Sequence, residues 1–178
     1  NHAEYLRLNH PEIKTQKIYL DALEQIQDGN RQRSPDAKKV LEEQLRGGPL
    51  VLNYVGHGNE TTLAAEEIFT VSDIPDWPSQ SPPALWVTAT CEFGRHDSPF
   101  LRSGAEELLF APAKGAIGLL TTGRPVFSSV NFQLNQEFVK EVFKKLESQN
   151  QDLGTIYRHT KNQSLNGVLN RNFSLLGD

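Results

Sequence analysis

The chain holds one cysteine, Cys91, and no methionine in 178 residues. A single thiol excludes an internal disulfide framework and any cysteine-rich structural zinc site, and it leaves the redox compartment open. The missing methionine excludes nothing. No apolar run approaches the roughly 20 residues that a membrane-spanning helix needs, and no signal-peptide pattern opens the chain. Charge of one sign is scarce too: 18 basic and 22 acidic residues leave a net charge of −4, with lysine and arginine scattered along the chain. That distribution lacks the electrostatic footprint of a nucleic-acid binder, so no nucleic-acid partner is expected. A phosphate loop is also missing, since Gly56-His57-Gly58 is not followed by the Gly-Lys such a loop requires. Repeats and low-complexity tracts are absent.

The length suits one well-buried core and is short for two, so residues 1–178 are expected to form a single domain. The chain starts at Asn1 rather than Met and stops on a strand-like apolar run, 172–178, which reads as a piece of a larger protein. Residues 1–9 suggest a short helix with Ala3, Tyr5 and Leu6 on its apolar side, broken at His10-Pro11. The run 17–22 reads as a strand and the polar stretch 25–33 as a surface loop. A marked helix follows: Ser34 is placed to cap it, Pro35 sits at its first position, and Ala37, Val40, Leu41 and Leu45 repeat at helical spacing before Gly47-Gly48.

Two strands then end on reactive side chains. Val51-Leu52-Asn53-Tyr54-Val55 runs into Gly56-His57-Gly58, and Leu85-Trp86-Val87-Thr88-Ala89-Thr90 runs into Cys91-Glu92. Between them, 59–69 reads as a helix through Ala64, Ala65, Ile68 and Phe69, followed by a loop rich in proline at 75, 78, 82 and 83. After Cys91, Ser103-Gly104-Ala105-Glu106 has the form of a capping box that starts a helix. Residues 115–122 form a third apolar strand ending at Gly123-Arg124-Pro125. A long helix over about 129–146 carries the stripe Leu134, Phe138, Val139, Val142, Phe143 and Leu146, a weaker one covers 153–165, and a last strand closes the chain. Apolar strands alternating with helices argue for an α/β fold with a mostly parallel sheet covered on both faces.

In such a sheet, reacting groups gather beyond the carboxyl ends of parallel strands. Cys91 and His57 would then meet at one edge. An imidazole that takes the proton from a thiol makes the thiolate that attacks a carbonyl, and glycines beside the histidine let a main-chain N–H approach the substrate. The N–H groups of Gly58 and Cys91 are the candidate oxyanion donors. Glu60, Glu92 and Asp97 are placed to orient His57 or to be solvated charges, and Arg124 to bind a substrate carboxylate or cap a helix. Cys91, His96 and Asp97 together are too few to hold a metal without a fourth ligand, so no metal site is expected. His2, His10 and His159 read as solvated.

At these residues the chain resembles the gingipain family of cysteine peptidases, within the caspase-like clan, in which one apolar strand ends in His-Gly and a later one in Ala-Cys or a close variant. The matching runs are 17–21, 52–58, 87–95, 103–106 and 173–178, nearly the whole length, and they are most similar to the family's branch of cell-surface sortases of the type IX secretion system. The resemblance implies a caspase-like three-layer α/β sandwich, with Cys91 as nucleophile, His57 as general acid/base, and the amides of Gly58 and Cys91 as oxyanion donors. It implies that the family's catalytic region begins upstream of these residues, which form its C-terminal half. Calcium is common in the family, no site for it is located here, and no other cofactor is implied. For the sortase branch it implies cleavage of the C-terminal sorting domain from exported cargo at the outer face of a Gram-negative outer membrane. The partners implied are that cargo, the outer-membrane β-barrel of the attachment complex and a lipopolysaccharide-linked amine, with water as the competing acceptor. A secreted gingipain-type endopeptidase without transfer activity, and a caspase-like binding scaffold without chemistry, are the alternatives.

Overall fold

The computed structural model describes residues 2–79, 83–144, 151–164 and 168–177. Its centre is a four-stranded sheet in the order β3 (Val51–Val55), β6 (Ala84–Ala89), β7 (Ala116–Thr122) and β8 (Phe173–Gly177). The first three strands run parallel and β8 is antiparallel to β7. Every residue of β6 is buried, as a strand with a neighbour on each side and a layer on each face should be.

Side-chain alternation along the strands splits the core in two. From β6, Ala84 and Trp86 enter one cluster with Leu41 and Leu45 of α2 (Pro35–Arg46) and Ala105 and Leu108 of α3 (Gly104–Phe110). Leu85 and Val87 point the other way, to Leu134 and Phe138 of α4 (Ser128–Val142) and Ile156 of α5 (Leu153–Ser164). The strand β7 does the same with Leu119 and Leu120. Helices on both faces of the sheet make three layers. The first helix, α1 (His2–Asn9), buries Leu6, and its His2 ring stacks on Phe132 of α4. No helix among the described residues is long and apolar enough to cross a membrane.

The capped helix α3 forms as its sequence predicts: the Ser103 hydroxyl accepts from the Glu106 N–H, and the Glu106 carboxylate accepts from the Ser103 N–H at 2.9 Å. Other expectations are corrected. Residues 17–22 form no strand; Leu20–Ala22 is a 3-10 turn, and Ile18 and Tyr19 stay exposed with no described strand alongside. The expected loop at 25–33 is a hairpin of β1 (Ile26–Asp28) and β2 (Arg31–Arg33), turned by Gly29 at φ +60°. Ser34 precedes α2 but does not cap it, because its hydroxyl donates to the Glu24 carbonyl at 2.8 Å.

The expected helix at 59–69 is the hairpin β4 (Thr62–Leu63) and β5 (Phe69–Thr70), with Ala64 and Glu67 at positive φ. Burial of Leu63 and Phe69 against the sheet outweighs the helix preference of the alanines and glutamates between them. Part of the proline-rich loop is a 3-10 segment, Val71–Asp76. Pro82, Leu146, Leu165 and Asp178 lie outside the described residues. His10, expected to be solvated, is 7% exposed and packs against Tyr5 and Phe143.

Candidate active site

Strands β3 and β6 pair in register from Val51 opposite Leu85 to Val55 opposite Ala89, and the Gly56 N–H extends the ladder by donating to the Ala89 carbonyl at 3.3 Å. His57 stands two residues past Val55, and Cys91 two residues past Ala89. Equal overhangs on adjacent parallel strands put the two side chains at one end of the sheet. His57 is exposed and Cys91 half-buried.

The turn holding His57 is fixed by its own backbone. The His57 carbonyl accepts from the Tyr54 hydroxyl at 2.6 Å and from the Ala64 N–H at 2.9 Å. Burial pushes the Tyr54 phenol far up, so it remains a donor. Gly58 faces Leu63 in an isolated antiparallel bridge whose two hydrogen bonds are made by neighbours, Ala64 N–H to His57 and Asn59 N–H to Thr62. The Gly58 N–H is left outside that ladder. A Cβ on Gly58 would lie 2.5 Å from the Thr90 hydroxyl, so only glycine lets the histidine turn rest on the residue before Cys91.

On the other side, Cys91 Sγ lies 3.7 Å from the Val126 carbonyl, a weak S–H···O contact with the loop after β7. Glu92 takes a positive φ of 55°, which turns the chain sharply after the cysteine. Phe93 then drops into the core, fully buried, 5.4 Å from the Phe69 ring of β5. The cluster continues through Trp77 and Trp86. Thus the loop after His57 and the loop after Cys91 share one aromatic anchor.

The acidic residues expected near His57 point elsewhere. Glu60 takes Arg95 at 3.0 Å, and Glu92 is 3.6 Å from the same guanidinium. Asp97 is held by both nitrogens of the Arg124 fork, which keeps its carboxyl down at about 2. Arg124 is therefore engaged in an ion pair rather than capping a helix. The His57 ring has no hydrogen bond or ion pair among the described residues. His96 Nδ1 sits 3.0 Å from the Gly94 carbonyl, and no group of three or more His, Cys, Asp or Glu among the described residues is arranged to hold a metal ion.

Sequence reasoning passed over Tyr54, Thr122 and Asn131. Thr122 donates to the Thr90 carbonyl at 2.6 Å and Asn131 to the same oxygen at 3.4 Å. The signal was Thr121-Thr122, two hydroxyls closing an otherwise apolar strand.

The model of peptidase family C25 matches residues 1–178. Among solved structures, the chain is similar to the Arg-specific cysteine proteinase gingipain R, with a TM-score of 0.63 and 16% identity over 76% of this chain and 31% of that one. It is similar to the complex of RgpB pro- and mature domains from Porphyromonas gingivalis, with a TM-score of 0.62 and 15% identity over 76% and 31%. A third structure, described as a protease, gives a TM-score of 0.65 and 15% identity over 76% and 36%. The chain spans 31–36% of the length of these structures. At such identities the likeness shows the fold, the caspase-like α/β sandwich of gingipains. No curated protein matches the sequence.

Proposed function

The chain belongs to peptidase family C25, and on that premise we propose that Cys91 and His57 carry a thiol-dependent cleavage of a peptide bond. The observation that supports this most directly is the equal overhang of the two residues on in-register parallel strands, with Gly58 packed on Thr90 between them. In the proposed reaction the His57 imidazole takes the thiol proton, and the Cys91 thiolate attacks the scissile carbonyl. The N–H groups of Gly58 and Cys91, neither used in a backbone hydrogen bond among the described residues, receive the oxyanion. Collapse of the tetrahedral adduct expels the amine, which takes the proton back from His57, and leaves a thioester on Cys91. A second nucleophile, water or an amine, regenerates the thiol.

The whole protein, in this proposal, is a sortase. It removes the C-terminal sorting domain of type IX secretion cargo at the outer face of a Gram-negative outer membrane, beside a β-barrel partner, and passes the cargo to a lipopolysaccharide-linked amine. The five runs shared with the sortase branch support it. In the full-length protein, Cys91→Ala should leave cargo with its sorting domain attached; normal cargo maturation in that variant would sink the proposal. An electrophilic peptide probe should label Cys91, and a label mapped to any other residue would overturn the mechanism.

The fold shared with an Arg-specific proteinase favours a second reading, a secreted endopeptidase that hydrolyses without transfer. Mass spectrometry of the cargo's new C-terminus separates the two. A free carboxylate with every acceptor supplied selects the endopeptidase, and an amide-linked acceptor selects the sortase.

A further inference from the structure

Resting on the thiol mechanism above, we propose that Thr122, seconded by Asn131, is the positioning residue of the oxyanion hole, acting through the Thr90–Cys91 peptide group. The carbonyl of Thr90 and the N–H of Cys91 belong to one planar unit, and in a trans peptide they point in opposite directions. Whatever holds the carbonyl therefore aims the N–H.

Two side chains hold it. The Thr122 hydroxyl at the end of β7 donates to the Thr90 carbonyl at 2.6 Å, and the Asn131 amide from α4 donates to the same oxygen at 3.4 Å. Both are out of solvent, Thr122 at 0% and Asn131 at 6% exposure, so water does not compete for the carbonyl. The Thr122 main chain grips the turn a second time, because its carbonyl accepts from the Gly94 N–H at 2.8 Å. One residue thus clamps the chain on both sides of Cys91 and Glu92, and it does so where Glu92 adopts a left-handed backbone that a free loop would relax.

The Cys91 N–H itself has no backbone acceptor among the described residues, which leaves it for a ligand. A carbonyl that accepts two hydrogen bonds also polarises its peptide, which strengthens the N–H on the far side as a donor. Strand propensity and packing at position 122 would be served equally by valine. The hydroxyl is the part that packing does not explain.

The test uses the full-length enzyme with a peptide substrate that the wild type cleaves. Thr122→Val should lower kcat by about 10- to 100-fold, somewhat less than deletion of an oxyanion donor outright, with KM changed by less than about twofold. A peptide aldehyde, whose hemithioacetal oxygen occupies the oxyanion position, should bind more weakly by a similar factor. Alkylation of Cys91 by iodoacetamide, which forms no oxyanion, should keep its rate. Thr122→Ser, which restores the hydroxyl, should recover most of kcat.

An unchanged kcat in Thr122→Val would overturn the proposal, as would a parallel fall in iodoacetamide rate or a Thr122→Ser as impaired as the valine variant. Should Thr122→Val fail to fold, the same four measurements on Asn131→Leu decide, with a smaller loss in the same direction expected and no loss overturning it. The thiol mechanism fails separately: activity surviving in Cys91→Ala removes it, whereas a dead Cys91→Ala beside an undiminished Thr122→Val removes only the positioning role.

Discussion

A methyl group on Gly58 would meet the Thr90 hydroxyl at 2.5 Å and the Thr62 carbonyl at 2.9 Å, and the second of these is backbone that cannot swing aside. Gly58→Ala should therefore push the histidine turn off the cysteine strand and misplace both candidate N–H donors. A displacement of about 1 Å at a reacting centre costs on the order of 100-fold in rate. The expected outcome is a loss of that size in kcat/KM with a folded protein, read by steady-state kinetics beside circular dichroism; full activity would show that the turn is not seated on Thr90 during turnover. The ion pair of Asp97 and Arg124 makes a different kind of prediction. Arg124 lowers the Asp97 carboxyl from 3.8 to about 2, so the pair's contribution is present above pH 3.8 and is lost as the pH falls through about 2. Both groups are open to solvent, which keeps the effect small and salt-sensitive. The difference in thermal stability between wild type and Asp97→Asn should be level above about pH 4, shrink as the pH falls from there and vanish only below about pH 2, and a difference that is as large at pH 2 as at pH 5 would place its origin outside the ion pair. At this scale the sequence shows His57 and Cys91 clearly, because each interrupts an apolar run. It hides the partners of Glu60, Glu92 and Asp97, since which arginine meets which carboxylate depends on loops folding back, and it hides Thr122, whose role is set by a carbonyl 32 positions away.

The loops after β3 and β6 are held by elements whose local sequences mark them unequally. The capping box before α3 is a local reciprocal pair, so four consecutive residues announce it. The hairpin of β4 and β5 is announced by nothing local: Ala64, Ala65, Glu66 and Glu67 favour a helix, and only the burial of Leu63 and Phe69 on either side bends the segment back. The β1–β2 hairpin has a signal, Gly29-Asn30, the two residues between the paired Asp28 and Arg31, a dipeptide that suits a tight turn. Its strands are polar and exposed, without the alternation that marks a half-buried strand. Phe69 is where these elements bear on the site, because its ring contacts Trp77 at 5.1 Å and Phe93 at 5.4 Å and so couples the histidine side to the cysteine side. Phe69→Ala should destabilise the fold by about 3–5 kcal/mol, the usual cost of a large cavity in a packed core. Chemical denaturation measures this, and a loss under about 1 kcal/mol would mean that Trp77 and Phe93 close over the gap.

Across the whole molecule, the alternation of β6 and β7 divides the apolar side chains into two cores separated by a sheet only four strands wide. The periodicity of the strands and helices makes this layering readable, since β6 and β7 are apolar on both faces and each long helix on one. Strand direction at the end of the sheet is not marked by the apolar pattern, which is the same for a parallel and an antiparallel neighbour; the structure pairs Phe173–Gly177 antiparallel to β7. The consequence is an uneven distribution of local stability. The amides of β6 are covered above and below and bonded to parallel neighbours on both sides, so they open only when both cores come apart. Those of β1 and β2 belong to an exposed two-stranded ribbon that can fray alone. In native-state hydrogen exchange, β6 and the adjoining stretch of β7 should exchange last and at the free energy of global unfolding, with β1 and β2 first. The residues that clamp Cys91 stand at the carboxyl ends of that slow pair, so the Gly94 N–H, bonded to the Thr122 carbonyl, should be protected nearly as well as β7 itself although it lies in a loop. Fast exchange at Gly94 beside slow exchange in β6 would show that the cysteine turn opens independently of the sheet, and a mobile turn of that kind could not present a fixed N–H to an oxyanion.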